Sequence, residues 1–181
     1  MSTSIQLMDS KQLELNIKSL ATQIAVDFKG TKVTLMGMAT RGIPLSLRLK
    51  AFLEDLDVQV SLGTLDATFF RDDYHFRAKF KNPKLAITQL SVLNLDDENV
   101  IIVDDVLYTG RSVRSSLEAI FEMGRPRSVQ LCVLVDRQSL EMPIFAKYVG
   151  LNAKTDENEE IKVSLIEVDE IDDVSKFKIG N

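Results

Sequence analysis

The sequence predicts a three-layer α/β domain with a largely parallel central sheet. Two observations carry this. Val100 to Val103 is a short run of β-branched residues that ends in Asp104 and Asp105, then a Thr-Gly-Arg-Ser loop, then a helical pattern. Val33 to Ala39 repeats the plan, ending in Thr40-Arg41-Gly42 and a second helical pattern. Continuous short apolar runs suit strands covered on both faces, and strand–loop–helix units join parallel strands. With 181 residues, one domain with a substantial core is expected, spanning 1–181.

Taken in order, Ser10 is a candidate cap for a helix whose apolar positions include Leu13, Ile17, Leu20 and Ile24, and Gly30 would end it. After the strand at 33–39, a helix from about Ile43 to Leu56 places Pro44 in its first turn, where a missing N–H costs nothing. Val58 to Thr68 alternates as one or two strands. Residues 69–83 are basic and aromatic, and a β-like patch follows near Leu85 to Leu93. The helix from 111 stops near Gly124 with Pro126 beyond, and Ser128 to Val135 is the next strand. Pro143 to Gly150 and Ile161 to Val168 are expected to form a small terminal hood, about 138–181.

Composition narrows the class. At 45% hydrophobic and 27% charged, the chain is an ordinary globular one, and no apolar run approaches membrane-spanning length. The N-terminus lacks a signal peptide's charged and apolar regions. Cys132 is the single cysteine, so no internal disulfide can form and a reducing cytoplasm is the expected compartment. Its apolar surroundings argue for a buried thiol over a nucleophile. A net charge of −5 disfavours non-specific nucleic-acid binding.

The stretch 99–113 carries the chemistry. Asp104 and Asp105 at a strand's carboxyl end are acceptors only, suited to sugar hydroxyls or hydrated metal. Gly110 allows close backbone approach, and Thr109 and Ser112 add hydroxyls beside N–H groups that open a helix. Arg111 adds positive charge for an anion. A ligand with a diol and a phosphate side by side, a ribose 5-phosphate, satisfies both halves. The structural alternative is a turn whose aspartates merely cap the helix, which explains neither the second carboxylate nor Arg111. Thr40-Arg41 forms a second anion site at the sheet's carboxyl edge.

The run from Asp104 to Arg114, D-D-V-L-Y-T-G-R-S-V-R, resembles the phosphoribosyl-pyrophosphate signature of type I phosphoribosyltransferases. In detail it is similar to the pyrimidine operon attenuator and uracil phosphoribosyltransferase family. The run L-D-A-T-F-F-R-D-D at 65–73 and G-R-P-R-S-V-Q-L-C-V-L-V-D-R at 124–137 resemble the same family, so the likeness spans nearly the whole chain.

The resemblance implies transfer of phosphoribosyl from phosphoribosyl pyrophosphate (PRPP) to uracil, giving UMP and pyrophosphate. It implies Asp104, Asp105 and Arg41 as the catalytic residues, and Mg2+ held by Asp104 and Asp105 through water and ribose hydroxyls. Substrate binding then falls to Thr40, Arg41, Asp104, Asp105, Val106, Leu107, Tyr108, Thr109, Gly110, Arg111 and Ser112. Arg137 and Val163 follow as base contacts under the hood. Thr40 and Arg41 would hold pyrophosphate, with a non-proline cis bond expected at Thr40–Arg41. A flexible hairpin lid at about 69–93 would bring Arg71, Arg77, Lys79 and Lys81 over the site. A single-strand RNA platform is the competing reading of that stretch, and His75 is expected to be solvated. Tyr108 stands where purine-specific relatives carry a third acid, which favours a pyrimidine. A homo-oligomer is also implied.

Three departures stand out. Gln138-Ser139-Leu140 replaces the family's Gly-His-Arg; Lys18 to Thr22 lacks the arginine and histidine of RNA-binding members; and Leu151 replaces a lysine. The first bears on the edge of the base pocket or on assembly; the other two favour an enzyme that retains little or no RNA-attenuation role. The alternatives are a UMP-responsive RNA-binding regulator and a purine transferase.

Overall fold

Leu35, Ile101, Val103, Cys132 and Leu134 turn to one face of a five-stranded sheet, while Met36, Val100, Ile102, Leu131 and Val133 turn to the other. The alternation along each strand feeds two separate apolar cores, one per face, so helices must cover both. The structure is a computed structural model and describes residues 4–65 and 94–179. The expected lid at 69–93, with Arg71, His75, Arg77, Lys79 and Lys81, lies outside the described residues, as does the end of the 58–68 stretch.

The strands are β1 (Ser4–Met8), β2 (Lys32–Met38), β3 (Gln59–Leu65), β4 (Asn99–Leu107), β5 (Ser128–Asp136), β6 (Tyr148–Asn152), β7 (Glu159–Ser164) and β8 (Asp173–Lys178). The helices are α1 (Ser10–Phe28), α2 (Gly42–Asp55), α3 (Arg111–Glu122) and the single turn α4 (Ile166–Asp169). The large sheet has the order β3-β2-β4-β5-β6, with every pairing parallel. A smaller antiparallel sheet, β1-β8-β7, forms the hood. This is the expected three-layer fold: α1 and α2 bury Leu13, Ile17, Leu49 and Leu53 on one face, and α3 buries Val113 and Ile120 on the other.

Four local expectations change. Asp9, not Ser10, caps α1: its Oδ1 accepts from Gln12 N at 2.8 Å while Gln12 Oε1 accepts from Asp9 N at 3.0 Å. That is a reciprocal capping box, written in the sequence as D-S-K-Q. The 143–150 stretch does not belong wholly to the hood, because Tyr148–Asn152 pairs in parallel with β5 as the outer strand of the large sheet. The hood instead recruits β1 from the other end of the chain. The cis bond is Ala39–Thr40, one residue before the expected position. Ala39 N still donates to Leu65 O at 2.8 Å, so the chain stays tied to the sheet up to that bond. Finally, β4 does not stop at Val103 but runs on to Leu107, because β5 keeps pairing with it as far as Leu107–Asp136.

Among the described residues no helix is long and apolar enough to cross a membrane. Cys132 is buried at 1% exposure, and burial pushes its thiol up to about 12. A protonated, covered thiol is a poor nucleophile. The folded protein should therefore resist iodoacetamide at pH 8 and take up one equivalent after denaturation. Labelling followed by intact-mass measurement checks this.

Candidate active site

The site forms where the sheet order reverses. From β2 the chain moves outward to β3, whereas β4 leads to β5 and β6 on the opposite side. Such a switch point opens a crevice at the carboxyl ends of the strands. Here β2 pairs with β4 only over Thr34–Gly37 and Val100–Val103, so Asp104 to Leu107 projects past β2 with β5 alone beside it.

A cavity of about 480 Å³ occupies this crevice. Its walls include Arg41, the whole run Asp104, Asp105, Val106, Leu107, Tyr108, Thr109, Gly110, Arg111 and Ser112, and, from the hood, Val163. Residues separated by more than a hundred positions thus meet around one space. Thr40 and Arg137 are not among the lining residues.

The acidic pair is held by its own backbone. Asp104 Oδ1 accepts from Asp105 N at 2.9 Å, and Asp105 Oδ1 accepts from Val106 N at 3.0 Å. Both residues are half-buried. These bonds restrict the carboxylates' rotation, and a carboxylate can accept several hydrogen bonds at once. Two adjacent carboxylates fit Mg2+, which takes one or two of them and fills its remaining positions with water and phosphate oxygen. No group of three or more metal-ligating side chains occurs among the described residues.

The next turn has the chemistry to receive an anion. Gly110 sits at φ +88, the left-handed region open to glycine, and α3 starts directly after it. The opening N–H groups of α3 therefore face the end of the cavity with a positive helix terminus behind them. The loop after β5 packs over this turn. Glu141 N donates to Thr109 O at 3.1 Å, Arg111 Nε donates to Glu141 Oε2 at 3.0 Å, and Leu140 and Ile144 lie against Gly110. Leu140, part of the Gln138-Ser139-Leu140 departure, thus helps to roof this loop.

Across the crevice, Arg41 stands at the N-terminus of α2. Its Nε and Nη2 donate to Asp169 Oδ2 and Oδ1 at 2.9 and 2.6 Å. This pairing holds the Asp169 carboxyl below its ordinary range and raises the Arg41 guanidinium, which also feels Asp105. Two turns along α2, Arg48 grips Glu167 at 2.6 Å and Asp172 at 2.7 Å. The α4 turn is thereby clamped to α2.

Arg137 occupies a different place from the one expected. It is 7% exposed, its Nε donates to Thr155 Oγ1 at 2.8 Å and its Nη2 to Glu159 O at 2.7 Å. Its guanidinium carbon lies 3.7 Å from the centre of the Tyr108 ring. Arg137 therefore backs Tyr108, and Tyr108 is the one that faces the cavity. Replacing Arg137 by Ala strands the Thr155 and Glu159 acceptors and removes the ring's support. That should cost about 1–3 kcal/mol and lower Tm by several degrees in a thermal melt.

Some lining residues had no signal in the motifs. Glu160, Lys162 and Phe177 reach the cavity only through the pairing of β7 with β8. Asp169 could have been suspected only from the acidic spacing E-V-D-E-I-D-D at 167–173.

The phosphoribosyl transferase domain family matches residues 4–167, and the chain belongs to it. Among solved structures, the hypoxanthine phosphoribosyltransferase of Trypanosoma cruzi superimposes with a TM-score of 0.73 over 97% of each chain, at 19% identity. A hypoxanthine-guanine phosphoribosyltransferase from Bacillus anthracis gives 0.65 over 82% of this chain and 83% of that one, at 21% identity. At such identities these two speak for the fold alone.

Curated relatives are more specific. The bifunctional protein PyrR of Clostridioides difficile is 43% identical over 94% of this chain and 96% of its own. That of Deinococcus radiodurans is 43% identical over 94% and 93%. Within the type I phosphoribosyltransferases, the chain belongs to the PyrR family.

Proposed function

We propose that this protein transfers the phosphoribosyl group of PRPP to uracil, releasing pyrophosphate and forming UMP. One observation carries the reading: Asp104 and Asp105, the α3 cradle and Arg41 line a single cavity at the sheet's switch point. A ribose donates its hydroxyls to carboxylates, whereas a 5-phosphate accepts from helix-opening N–H groups and a pyrophosphate accepts from a guanidinium. All three kinds of group are available within that one cavity.

In the transfer, a base nitrogen bonds to the anomeric carbon as the carbon–oxygen bond to pyrophosphate breaks, through an oxocarbenium-like state. The protein's work is positioning and charge stabilisation. Asp104 and Asp105 accept hydrogen bonds from the ribose hydroxyls and fix the ring. Thr109 to Ser112 hold the 5-phosphate, and Arg41 meets the negative charge that builds on the leaving pyrophosphate. Mg2+, held at Asp104 and Asp105 through water and ribose hydroxyls, would supply neutralisation of the pyrophosphate. The base lies under the hood between Tyr108 and Val163, with Arg137 backing the ring.

Incubating the purified protein with PRPP, Mg2+ and each of uracil, hypoxanthine, guanine and xanthine tests the reading. UMP from uracil alone is expected. Turnover of a purine base, or none at all, would overturn it.

On the α1 face, RNA contact is weak in this account. Lys18 is paired with Glu14 at 2.6 Å and lies over the Phe52 ring, and Leu151 supplies no charge. Binding to an operon leader RNA should accordingly be weak and only shallowly salt-dependent. We place the reaction in the cytoplasm and the protein in a homo-oligomer, the setting that the lone buried thiol and the family suggest.

A further inference from the structure

We infer that Asp169, on the hood, is a positioning residue for Arg41 and thereby sets the affinity for the pyrophosphate end of PRPP. The inference rests on the transferase reading, in which Arg41 meets pyrophosphate.

The bidentate contact engages Nε and Nη2 and fixes the plane of the guanidinium, which leaves the Nη1 edge for an incoming anion. Asp169 is itself held. Its Oδ2 accepts from Leu165 N at 2.9 Å, and Leu165 is fully buried. The Arg48 pairs with Glu167 and Asp172 anchor the same turn, and Ile166 N donates to Asp172 Oδ1 at 2.9 Å. The carboxylate is thus a fixed point rather than a mobile surface acid.

An arginine at a helix N-terminus next to a cavity would otherwise sample many rotamers, and an anion would have to freeze them on binding. Pairing with Asp169 meets that cost in advance. It also keeps Arg41 from collapsing onto Asp105, which is near enough to raise its pKa.

The test compares wild type, Asp169→Asn, Asp169→Glu, Arg41→Ala and the double variant Arg41→Ala/Asp169→Asn. PRPP affinity is measured calorimetrically with Mg2+, alongside KM values and Tm. Asp169→Asn should weaken PRPP binding and raise its KM about tenfold, with the KM for uracil unchanged, and Asp169→Glu should recover part of the loss. The double variant should bind PRPP no worse than Arg41→Ala alone. Unchanged or tighter PRPP binding in Asp169→Asn overturns the inference, as do additive losses in the double variant. Equal losses in both KM values together with a fallen Tm mark a merely structural role and overturn it too. If Asp169→Asn does not fold, Asp169→Glu against the Arg41→Ala background decides by the same additivity criterion. Wild type that binds PRPP but forms no UMP fails the transferase reading and leaves the affinity comparison readable.

Discussion

Asp105→Asn, and separately Asp104→Asn, are expected to lower kcat/KM for UMP formation by about one to two orders of magnitude. Each carboxylate is assigned charge-assisted hydrogen bonds from ribose hydroxyls or metal-bound water, worth about 1.5–3 kcal/mol apiece, and 1.36 kcal/mol is a factor of ten. Asn keeps the side chain's shape and one acceptor oxygen, so the loss reports charge. Each side chain also accepts from a neighbouring backbone N–H, a bond that an amide oxygen can keep, so the fold should survive. Steady-state kinetics with a parallel thermal melt separates the two effects. A variant with wild-type kcat/KM would remove that carboxylate from the site.

The second large effect is expected at Gly42. It opens α2 immediately after Arg41, and a Cβ there would stand 2.2 Å from Val103 O on β4. That contact is with backbone, which cannot swing aside, so Gly42→Ala must push the start of α2 off the sheet. Overpacking of this kind costs about 1–3 kcal/mol and sometimes more, or several degrees of Tm for a domain this size. The displacement also moves Arg41 away from the crevice. PRPP binding should therefore fall more than tenfold even at temperatures where the variant stays folded. Calorimetric titration at 15 °C, well under the melt, checks it.

Much of this was legible in the sequence, because the relevant information was local. A β-branched run ending in two acids, then Thr-Gly-Arg-Ser, specifies strand, turn and helix within fifteen residues, and the cavity wall follows it residue by residue. Arg41 was legible for the same reason, as the end of a second strand–loop–helix unit.

What escaped depended on contacts far apart in the chain. Tyr148–Asn152 is a short, half-buried strand, and only its parallel register with β5 distinguishes it from a hood segment. Its register is set by packing against α1, where Asn16 Nδ2 donates to Gly150 O at 2.9 Å. The role of Arg137 was hidden similarly. In sequence it is a cation after a strand, and its neighbours Thr155 and Glu159 come from the following loop and β7. Asp169 is 128 residues from Arg41, and no periodicity links them. The α1 cap is the exception: the capping box was local and readable, but Ser10 drew attention from Asp9.

One cleft is proposed to hold the phosphate, the ribose and the base of a single nucleotide. A crystal structure of the protein with UMP tests it most directly. The 5-phosphate is expected among the N–H groups of Thr109 to Ser112, the ribose hydroxyls on Asp104 and Asp105, and the uracil ring between Tyr108 and Val163. A phosphate seated elsewhere, or a ribose that leaves both carboxylates uncontacted, would contradict it.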